Sequence, residues 1–427
     1  MTTVPEVGTE DTASFAPPCR LCGAELRETV VDLGKSPLCE SFLTADQLGR
    51  VEHFYPLHVR ICGECLLVQL QAYVSASDIF SEYAYFSSFS DSWVEHARRY
   101  AEAVMERFSL GPESFVLELA SNDGYLLQHF VERGIPVLGV DPAANVARAA
   151  RERGVETMVE YFDAQLAERL VSEGRSANLV VGNNVLAQIP ALNDFVRGIA
   201  IVLAPQGVAT IEVPHVVRLI EEVQFDTIYH EHFSYFSLTT LTRLFAQQGL
   251  EVFDVEELPS HGGSLRVYAK RAGDSAHERS RRVDDVLEQE RLGGYDRIDG
   301  YRGFSSRVVD VKWKLLELLI GLRRRGKSIA AYGAPGKGNT LLNYCGIRTD
   351  LVEYTVDRNP HKQGKFLPGT HIPIYAPERI ERSRPDYILI LPWNLQKEIA
   401  AQLAYTRSWG AKLIVPIPAP RVVGWAP

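Results

Sequence analysis

Short apolar runs alternate with amphipathic stretches through the middle of the chain. The runs are continuous and bounded by turn-forming residues, which is typical of strands buried on both faces. The stretches between them repeat their apolar residues with the period of a helix. Strands and helices that alternate in this way form a parallel sheet covered on both faces. The predicted strands are 114–120, 136–141, 178–184 and 207–213, and the predicted helices are 125–134, 143–154 and 192–204.

A second alternating series begins near residue 300. The stretch 305–326 predicts a long charged helix, and 328–344 predicts a strand, a glycine-rich turn and a helix, with further short strands after them. The two series share too little identity to be read as an internal repeat. We therefore predict an α/β protein with three domains, at residues 1–74, 75–299 and 300–427.

Size, charge and apolar content narrow the class of protein. A chain of 427 residues is too long for one ordinary core, and 46% hydrophobic residues are close to the globular average. The net charge of −9 argues against a nucleic-acid partner, which needs a clustered basic face, and favours a small substrate. No apolar run is long enough to span a membrane, and residues 1–16 lack the pattern of a secretory signal. We therefore expect a cytoplasmic protein without nucleic-acid or membrane partners, and the sequence leaves its oligomeric state open, a monomer included.

Two C-x-x-C pairs lie near the start of the chain, "CRLC" at 19–22 and "CGEC" at 62–65. This spacing lets both thiolates of a pair reach one metal ion, and two pairs complete a tetrahedral site without an open position. A redox motif is the rival for one pair, and unliganded core cysteines are the alternative for both. Cys39 and Cys345 are isolated and are expected to be buried thiols. The predicted ligands of a structural zinc ion are Cys19, Cys22, Cys62 and Cys65.

The first strand-turn-helix unit, "VLELASNDGYLL", has the features of a ligand-binding loop. Glu118 lies near the strand end, and Gly124 opens the helix, where small residues let a ligand approach the backbone. The next strand ends at Asp141, whose carboxylate can accept hydrogen bonds from both hydroxyls of a ribose. Dinucleotide binding is the rival, but the loop lacks the G-x-G-x-x-G pattern.

The order of several motifs resembles that of one family. "LELASNDGYLL" and "GVDP" resemble the cofactor-binding motifs of S-adenosylmethionine-dependent methyltransferases. More narrowly, the chain resembles the bacterial sugar C-methyltransferases that act on nucleotide-linked deoxysugars in antibiotic biosynthesis. The resemblance implies a class I methyltransferase domain, flanked by an N-terminal zinc-binding module and a C-terminal Rossmann-like domain that helps to hold the nucleotide-sugar. The other shared motifs are the paired C-x-x-C module, "YAYFSSFSDSW", "GNNVLAQIP", "YHEHFSYFS", "HGGSLRV" and "YGAPGKGNT".

The resemblance implies methylation of carbon three of a dTDP-linked keto-deoxysugar. Methylating a carbon next to a ketone requires a base that removes the alpha proton. Matching "YHEH" to the family assigns His232 as the base, while Glu231 and Tyr229 are expected to orient the sugar, assist proton movement or donate to the developing oxyanion. The role of His230 is left open. An extended segment would place His230 and His232 on the face opposite Tyr229 and Glu231, so all four can face one pocket only across a bend.

Other interpretations of "YHEH" are open. One or both histidines can instead satisfy backbone groups under an aromatic cluster. A metal site lacks support, since H-E-H does not have the H-E-x-x-H spacing of a zinc protease. At the level of the whole protein, the alternatives are a methyltransferase for a non-sugar ketone and a noncatalytic cofactor-binding module whose zinc knuckle serves a protein partner.

Further positions carry over from the family. Tyr83 is expected at the sugar site, although an aromatic core residue would look the same. Gln188 stands where several relatives are expected to have histidine, and glutamine cannot cycle a proton. "YGAPGKGNT" departs from the phosphate-loop spacing, because Lys337 is followed by glycine. Arg358, Lys362 and Lys365 lie further along the sequence and fit a solvated loop as well as they fit a site for the diphosphate. The expected cofactor-binding residues are Glu118, Ala120, Asn122, Asp123, Gly124, Asp141 and Asn183, and the expected substrate-binding residues are Gln188, His230, Lys337, Asn339 and Arg358.

Overall fold

The computed structural model describes residues 16–75 and 86–424, which form three sheets with helices packed around them. Tyr83 and the first fifteen residues lie outside the described part of the chain. Of the helices that the structure describes, none has the length and apolar character needed to cross a bilayer.

The N-terminal sheet is antiparallel and begins with β1 (Glu28–Ser36), β2 (Tyr55–Ile61) and β3 (Val68–Leu70). In β2, burial alternates along the strand, as expected for a sheet with one face packed on a core. The two C-x-x-C turns lie before β1 and between β2 and β3.

The middle sheet has seven strands in the order β10-β11-β8-β7-β4-β5-β6. All of its pairs are parallel except those of β11, which runs antiparallel to β8 and β10. The predicted strands are confirmed, and burial on both faces explains their continuous apolar sequence. The strands of this sheet are β4 (Val116–Leu119), β5 (Val137–Val140), β6 (Thr157–Met158), β7 (Ala177–Asn183), β8 (Leu203–Pro214), β10 (Leu250–Leu258) and β11 (Ser264–Arg271), and the short strand β9 (Ser234–Tyr235) comes between β8 and β10 in the chain.

Strand β9 belongs to the N-terminal sheet, where it pairs with β3 as the fourth strand. This pairing fixes the chain around the "YHEH" segment to the cysteine module. No local sequence pattern predicts it.

Eight α-helices accompany the middle sheet among the described residues. The first is capped by Ser90, whose hydroxyl accepts from the backbone N–H of Trp93. The helix expected over 125–134 is reduced to four residues, because its neighbouring turns mix i→i−3 and i→i−4 hydrogen bonds. The helices are α1 (Asp91–Arg107), α2 (Gln128–Val131), α3 (Ala144–Glu152), α4 (Ala164–Ser172), α5 (Leu192–Val202), α6 (Val216–Glu221), α7 (Leu238–Gln247) and α8 (Arg281–Leu292).

The C-terminal sheet has the order β14-β13-β12-β15-β16-β17, and only β17 is antiparallel. The long helix expected over 305–326 is confirmed as α9. The elements are α9 (Phe304–Arg324), β12 (Ile329–Tyr332), α10 (Gly336–Cys345), β13 (Thr355–Val356), β14 (Ile374–Tyr375), α11 (Glu378–Ser383), β15 (Tyr387–Ile390), α12 (Gln396–Gln402), β16 (Lys412–Val415) and β17 (Arg421–Val423). Short 3-10 helices lie at Ala45–Gln47, Ser87–Phe89, Leu186–Gln188, Phe225–Thr227, Ser260–Gly262, Ile298–Tyr301, Trp393–Leu395 and Ala404–Trp409.

The hydrophobic cores cross the predicted boundaries. Val31 and Leu57 of the N-terminal sheet belong to the same cluster as Leu341 of the C-terminal part. The cysteine turns pack the other way, since Cys62 shares a cluster with Leu186 beside the middle sheet. The N-terminal module therefore packs against both larger parts.

Candidate active site

A cavity of about 610 Å³ lies where the three parts of the chain meet. The carboxyl ends of parallel strands from both large sheets open into it: Asp141 follows β5, Asn183 ends β7 and Gly333 follows β12. Glu40 of the N-terminal module lines the same cavity. Clefts at the carboxyl ends of strands are the usual ligand sites of open α/β sheets.

The loop after β4 forms one wall of the cavity. Ala120 and Asn122 both line it, and both have left-handed backbone angles, with φ of 56° and 51°. The backbone N–H of Asn122 donates to Asp141 Oδ2, and that of Ala143 donates to Oδ1, each at 2.9 Å. Burial raises the pKa of Asp141. The carboxylate therefore holds two loops together while it faces the cavity.

Asn183 supplies a polar group that the protein itself does not satisfy. Both its amide oxygen and its amide nitrogen are buried without a hydrogen-bond partner among the described residues, and the side chain lines the cavity. Buried amides are normally paired. Together with Ala120, Asn122 and Asp141, this free amide fits the polar groups of S-adenosylmethionine.

Three of the expected cofactor residues do not line the cavity. Asp123 is buried in an ion pair with Arg153 at 2.9 Å, so it anchors the loop. Gly124 has φ of +77°, and an added Cβ would lie 3.1 Å from the Val155 side chain, so this position requires glycine for packing. Glu118 is buried behind the loop, where burial and the nearby Asp141 raise its pKa. These three residues therefore shape the loop from behind and do not line the cavity in which a ligand would bind.

The "YHEH" segment forms a bend, which brings three of its four side chains to the cavity. The backbone N–H of His232 donates to the carbonyl of Tyr229 at 2.9 Å, which closes a turn. Tyr229, Glu231 and His232 line the cavity. His230 is directed to the other side and lies 3.2 Å from the carbonyl of Tyr55, so its position does not support substrate binding.

One ring nitrogen of His232, which lines the cavity, has no hydrogen-bond partner in the part of the chain that the structure describes. Its Nδ1 lies 3.0 Å from the carbonyl oxygen of Thr227, and because a carbonyl can only accept, Nδ1 carries the proton. Nε2 then keeps its lone pair. Burial lowers the pKa of His232 to about 4, so the ring is neutral at pH 7. The Tyr229 ring packs against it at 4.1 Å between centroids.

Glu231 is held from the N-terminal module. The thiol of Cys39 donates to its Oε1 at 3.3 Å, and burial raises the pKa of that thiol well above its ordinary value. Cys39 is therefore buried, as expected, but it also contacts the cavity wall. Burial, followed by the charge of Glu231, raises the pKa of Tyr229, which keeps its hydroxyl protonated.

The C-terminal part lines the far side of the cavity with cations. Lys337 donates to Asn394 Oδ1 at 2.9 Å, and burial lowers its pKa. Arg358 also lines the cavity, whereas Lys362 is paired with Glu40 at 3.2 Å. This side contains positive groups suited to phosphate oxygens.

Among the remaining expected substrate residues, Gln188 lines the cavity. Asn339 is buried away from it, with its side-chain oxygen accepting from Asn343 at 3.2 Å. Tyr83 lies outside the described residues.

Several residues that reach the cavity were not expected from the sequence. Glu40 lies in "PLCESF", which carries no recognisable signal. His261 belongs to the "HGGSLRV" motif, so that motif marked its position without indicating a role. Asn184 follows the expected Asn183 and also lines the cavity.

The four paired cysteines converge on one point. Their sulfur atoms all lie within 4.8 Å of one another, with Cys19 and Cys65 3.5 Å apart. A tetrahedral zinc site with bonds of about 2.3 Å separates its sulfurs by roughly 3.8 Å, so the cluster fits zinc. Four thiolates leave no position for a substrate, and the metal is structural.

Three family models match successive parts of the chain. They are described as "Putative zinc binding domain" for residues 19–80, "Methyltransferase domain" for 93–255 and "C-methyltransferase C-terminal domain" for 259–418. C-methyltransferase NovU of Streptomyces niveus is 39% identical over 405 residues, which are 95% of this chain and 96% of that protein.

Solved methyltransferase structures were also matched. An S-adenosylmethionine-dependent methyltransferase from Clostridium acetobutylicum ATCC 824 is 12% identical, with a TM-score of 0.35, over 42% of this chain and 92% of its own. Magnesium protoporphyrin IX methyltransferase from Synechocystis PCC 6803 with bound SAH is 12% identical, with a TM-score of 0.34, over 42% and 83%. Since the match to NovU extends over nearly the whole of both chains, this chain belongs to the S-adenosylmethionine-dependent C-methyltransferase family that carries an N-terminal zinc-binding domain.

Proposed function

We propose that the enzyme methylates carbon three of a dTDP-linked 4-keto-deoxysugar, in the biosynthesis of an antibiotic or another natural product. The observation that supports this proposal is Nε2 of His232, which has no hydrogen-bond partner among the described residues and lies in a cavity lined also by the loop after β4 and by Lys337 and Arg358. The match to a C-methyltransferase supports carbon as the acceptor atom.

The chemistry begins with the proton next to the sugar ketone. His232 Nε2 accepts that proton, and the electrons of the broken C–H bond form the enolate. The carbonyl of Thr227, 3.0 Å from Nδ1, stabilises the resulting imidazolium. Tyr229 and Glu231 orient the sugar beside the ring. S-adenosylmethionine, when bound, supplies the methyl group that the enolate carbon takes, and alignment within the cavity accounts for much of the rate.

The nucleotide end of the substrate is assigned to the C-terminal part. Lys337 and Arg358 line the cavity and would neutralise the diphosphate. Lys362 is already paired with Glu40 and contributes less free charge. Gln188, which cannot carry a proton, is assigned to hydrogen bonding with the sugar.

The test incubates the purified enzyme with S-adenosylmethionine and a panel of dTDP-4-keto-deoxysugars, and then locates any new methyl group by mass spectrometry and NMR. A gain of one methyl at carbon three is expected. A methyl at carbon five, the other carbon next to the ketone, would contradict the position and leave carbon methylation standing. Binding of S-adenosylmethionine without methylation of any sugar would exclude this acceptor class and favour a non-sugar ketone or a noncatalytic module.

The base is tested with His232→Asn. Asparagine can keep the donor that reaches the Thr227 carbonyl but has no nitrogen in place of Nε2. We expect kcat to fall by about 100- to 10,000-fold with little change in substrate Kd. The exposed His53 provides the matched control, since His53→Asn should behave as the wild type. Near-normal turnover by His232→Asn would exclude the base assignment.

A further inference from the structure

A second imidazole faces the same cavity as the base. His261 lies in the turn between β10 and β11 and lines the cavity together with His232. Burial and the charge of Lys337 lower the pKa of His261 to about 4, so it is neutral at pH 7. The two rings are near enough that a proton on His261 would lower the pKa of His232.

The hydrogen bond to Asn184 determines which nitrogen of His261 carries the proton. Asn184 Nδ2 lies 3.1 Å from His261 Nε2, so the amide donates and Nε2 accepts. In this orientation of the Asn184 amide, its oxygen is buried without a partner. If the amide were flipped, its two N–H groups would be buried without partners instead, and unpaired buried donors are rarer than unpaired acceptors. The proton of the neutral ring is therefore on Nδ1. Because Nε2 is occupied, Nδ1–H is the polar group that remains for the cavity.

The two rings thus offer opposite chemistry to one ligand. His232 turns its Nδ1–H to a backbone carbonyl and presents a lone pair. His261 has its lone pair occupied by Asn184 and presents a donor. A neutral imidazole that donates to a carbonyl oxygen is an effective electrophile in enolisation, because it stabilises the enolate without being a full cation.

The backbone holds His261 in a costly conformation. Its φ is 55°, in the left-handed region, and the ring packs edge-on against Trp93 at 5.1 Å between centroids. A left-handed backbone is uncommon for any residue other than glycine, although histidine adopts it more often than most, and such conformations are concentrated at functional sites. The two following glycines also have positive φ, which allows the turn to bring His261 to the cavity.

We propose that His261 is a second catalytic residue, whose Nδ1–H donates a hydrogen bond to the enolate oxygen formed when His232 removes the alpha proton. This role rests on the proposed function. The C–H electrons move to the ketone oxygen, the proton goes to His232 Nε2, and His261 keeps its own proton throughout. Asn184 is a positioning residue that fixes the orientation of the His261 ring.

Two substitutions separate hydrogen-bond donation from a structural role. His261→Ala removes the donor, and an unchanged Kd for S-adenosylmethionine checks that alanine, which adopts a positive φ less readily than histidine, has not disturbed the fold. His261→Asn restores an N–H near the position of Nδ1, and asparagine tolerates a positive φ. Both variants and the wild type are assayed with a dTDP-4-keto-deoxysugar in D₂O, with S-adenosylhomocysteine bound, so that exchange of the alpha proton is measured without methyl transfer.

We expect His261→Ala to slow alpha-proton exchange and kcat by about 100- to 1,000-fold, as for loss of one oxyanion donor, with an unchanged Kd for S-adenosylmethionine. His261→Asn should recover to within about tenfold of the wild type. Equal losses in the two variants, or a weakened cofactor Kd in His261→Ala, would overturn the role. A wild type that neither exchanges nor methylates any sugar refutes the proposed function, and the donor role falls with it.

A measurement without substrate checks the ring itself. In ¹⁵N-histidine-labelled enzyme at pH 7, His261 should show a protonated Nδ1 and an unprotonated Nε2, assigned by comparison with His261→Asn. Asn184→Ala should remove that preference. A protonated Nε2 on His261 in the wild type would refute the donor assignment whatever the substrate.

Discussion

At the scale of single residues, the site depends on groups whose partners decide their chemistry. The sequence suggested His232 through its motif, but the carbonyl of Thr227, five residues earlier, determines which ring nitrogen is left to act as the proposed base. Asp123 shows the reverse, since a motif residue expected at the cofactor is used in an ion pair with Arg153. Motifs mark positions, whereas hydrogen-bond partners, which depend on the fold, determine roles.

The pH dependence of the enzyme should report the burial of His232. An exposed histidine titrates near about 6.5, but burial lowers the pKa of His232 to about 4. The neutral ring is the active form, so alpha-proton exchange should stay level as the pH falls from 8 to roughly 5 and decline only near the lowered pKa. Exchange rates across this range, with circular dichroism as the control for folding, provide the measurement. A decline centred near pH 6.5 would contradict the buried, neutral base.

At the scale of elements, the strands and most helices followed from apolar periodicity, because buried parallel strands require continuous apolar sequence. The exception is the segment 125–134, where the tight loop after β4 leaves only a short helix. Because side chains alternate along an extended segment, a bend near His232 could be expected if the residues of "YHEH" were to share one pocket. The sequence did not indicate which way the bend would turn. That direction depends on β9 pairing with β3, a contact between segments far apart in sequence.

The packing of the loop after β4 can be tested by comparing alanine substitutions at Gly124 and at Gly134. Both Gly124 and Gly134 have positive φ, so alanine at either position should cost about 1–2 kcal/mol from strain. Only Gly124 also lacks space, with Val155 and Ala150 beside it, which should add about 1–3 kcal/mol and weaken S-adenosylmethionine binding. Urea denaturation and calorimetry provide the two measurements. Equal losses of stability in both variants would show that the loop is not tightly packed there.

At the scale of the whole molecule, the zinc module is part of the active site's support. Arg20, inside the first cysteine turn, donates to the carbonyl of Phe233, to the carbonyl of Leu70 at 2.8 Å and to Ser234 Oγ at 3.2 Å. Phe233 directly follows His232, the proposed base. The cysteine pairs predicted the metal site, but no local pattern indicated that its turn would reach β9.

We therefore expect one zinc ion per chain and a loss of alpha-proton exchange when a strong chelator removes it. Arg20→Lys should keep the zinc, lower the free energy of unfolding by about 1–3 kcal/mol and slow exchange, because lysine cannot replace the forked hydrogen bonds. The exposed Arg27 is the control, and Arg27→Lys should change neither quantity. Metal analysis measures the zinc content, urea denaturation the free energy of unfolding, and deuterium uptake the rate of alpha-proton exchange. Full exchange in a zinc-free enzyme would separate the module from the site.

The proposed role of His232 is tested most directly by alpha-proton exchange of a dTDP-4-keto-deoxysugar in D₂O, compared between the wild type and His232→Asn with S-adenosylhomocysteine bound to both. We expect deuterium at the carbon that is later methylated in the wild type, and no exchange above the solvent rate in the variant. Exchange at the wild-type rate in His232→Asn would show that Nε2 of His232 does not remove the proton.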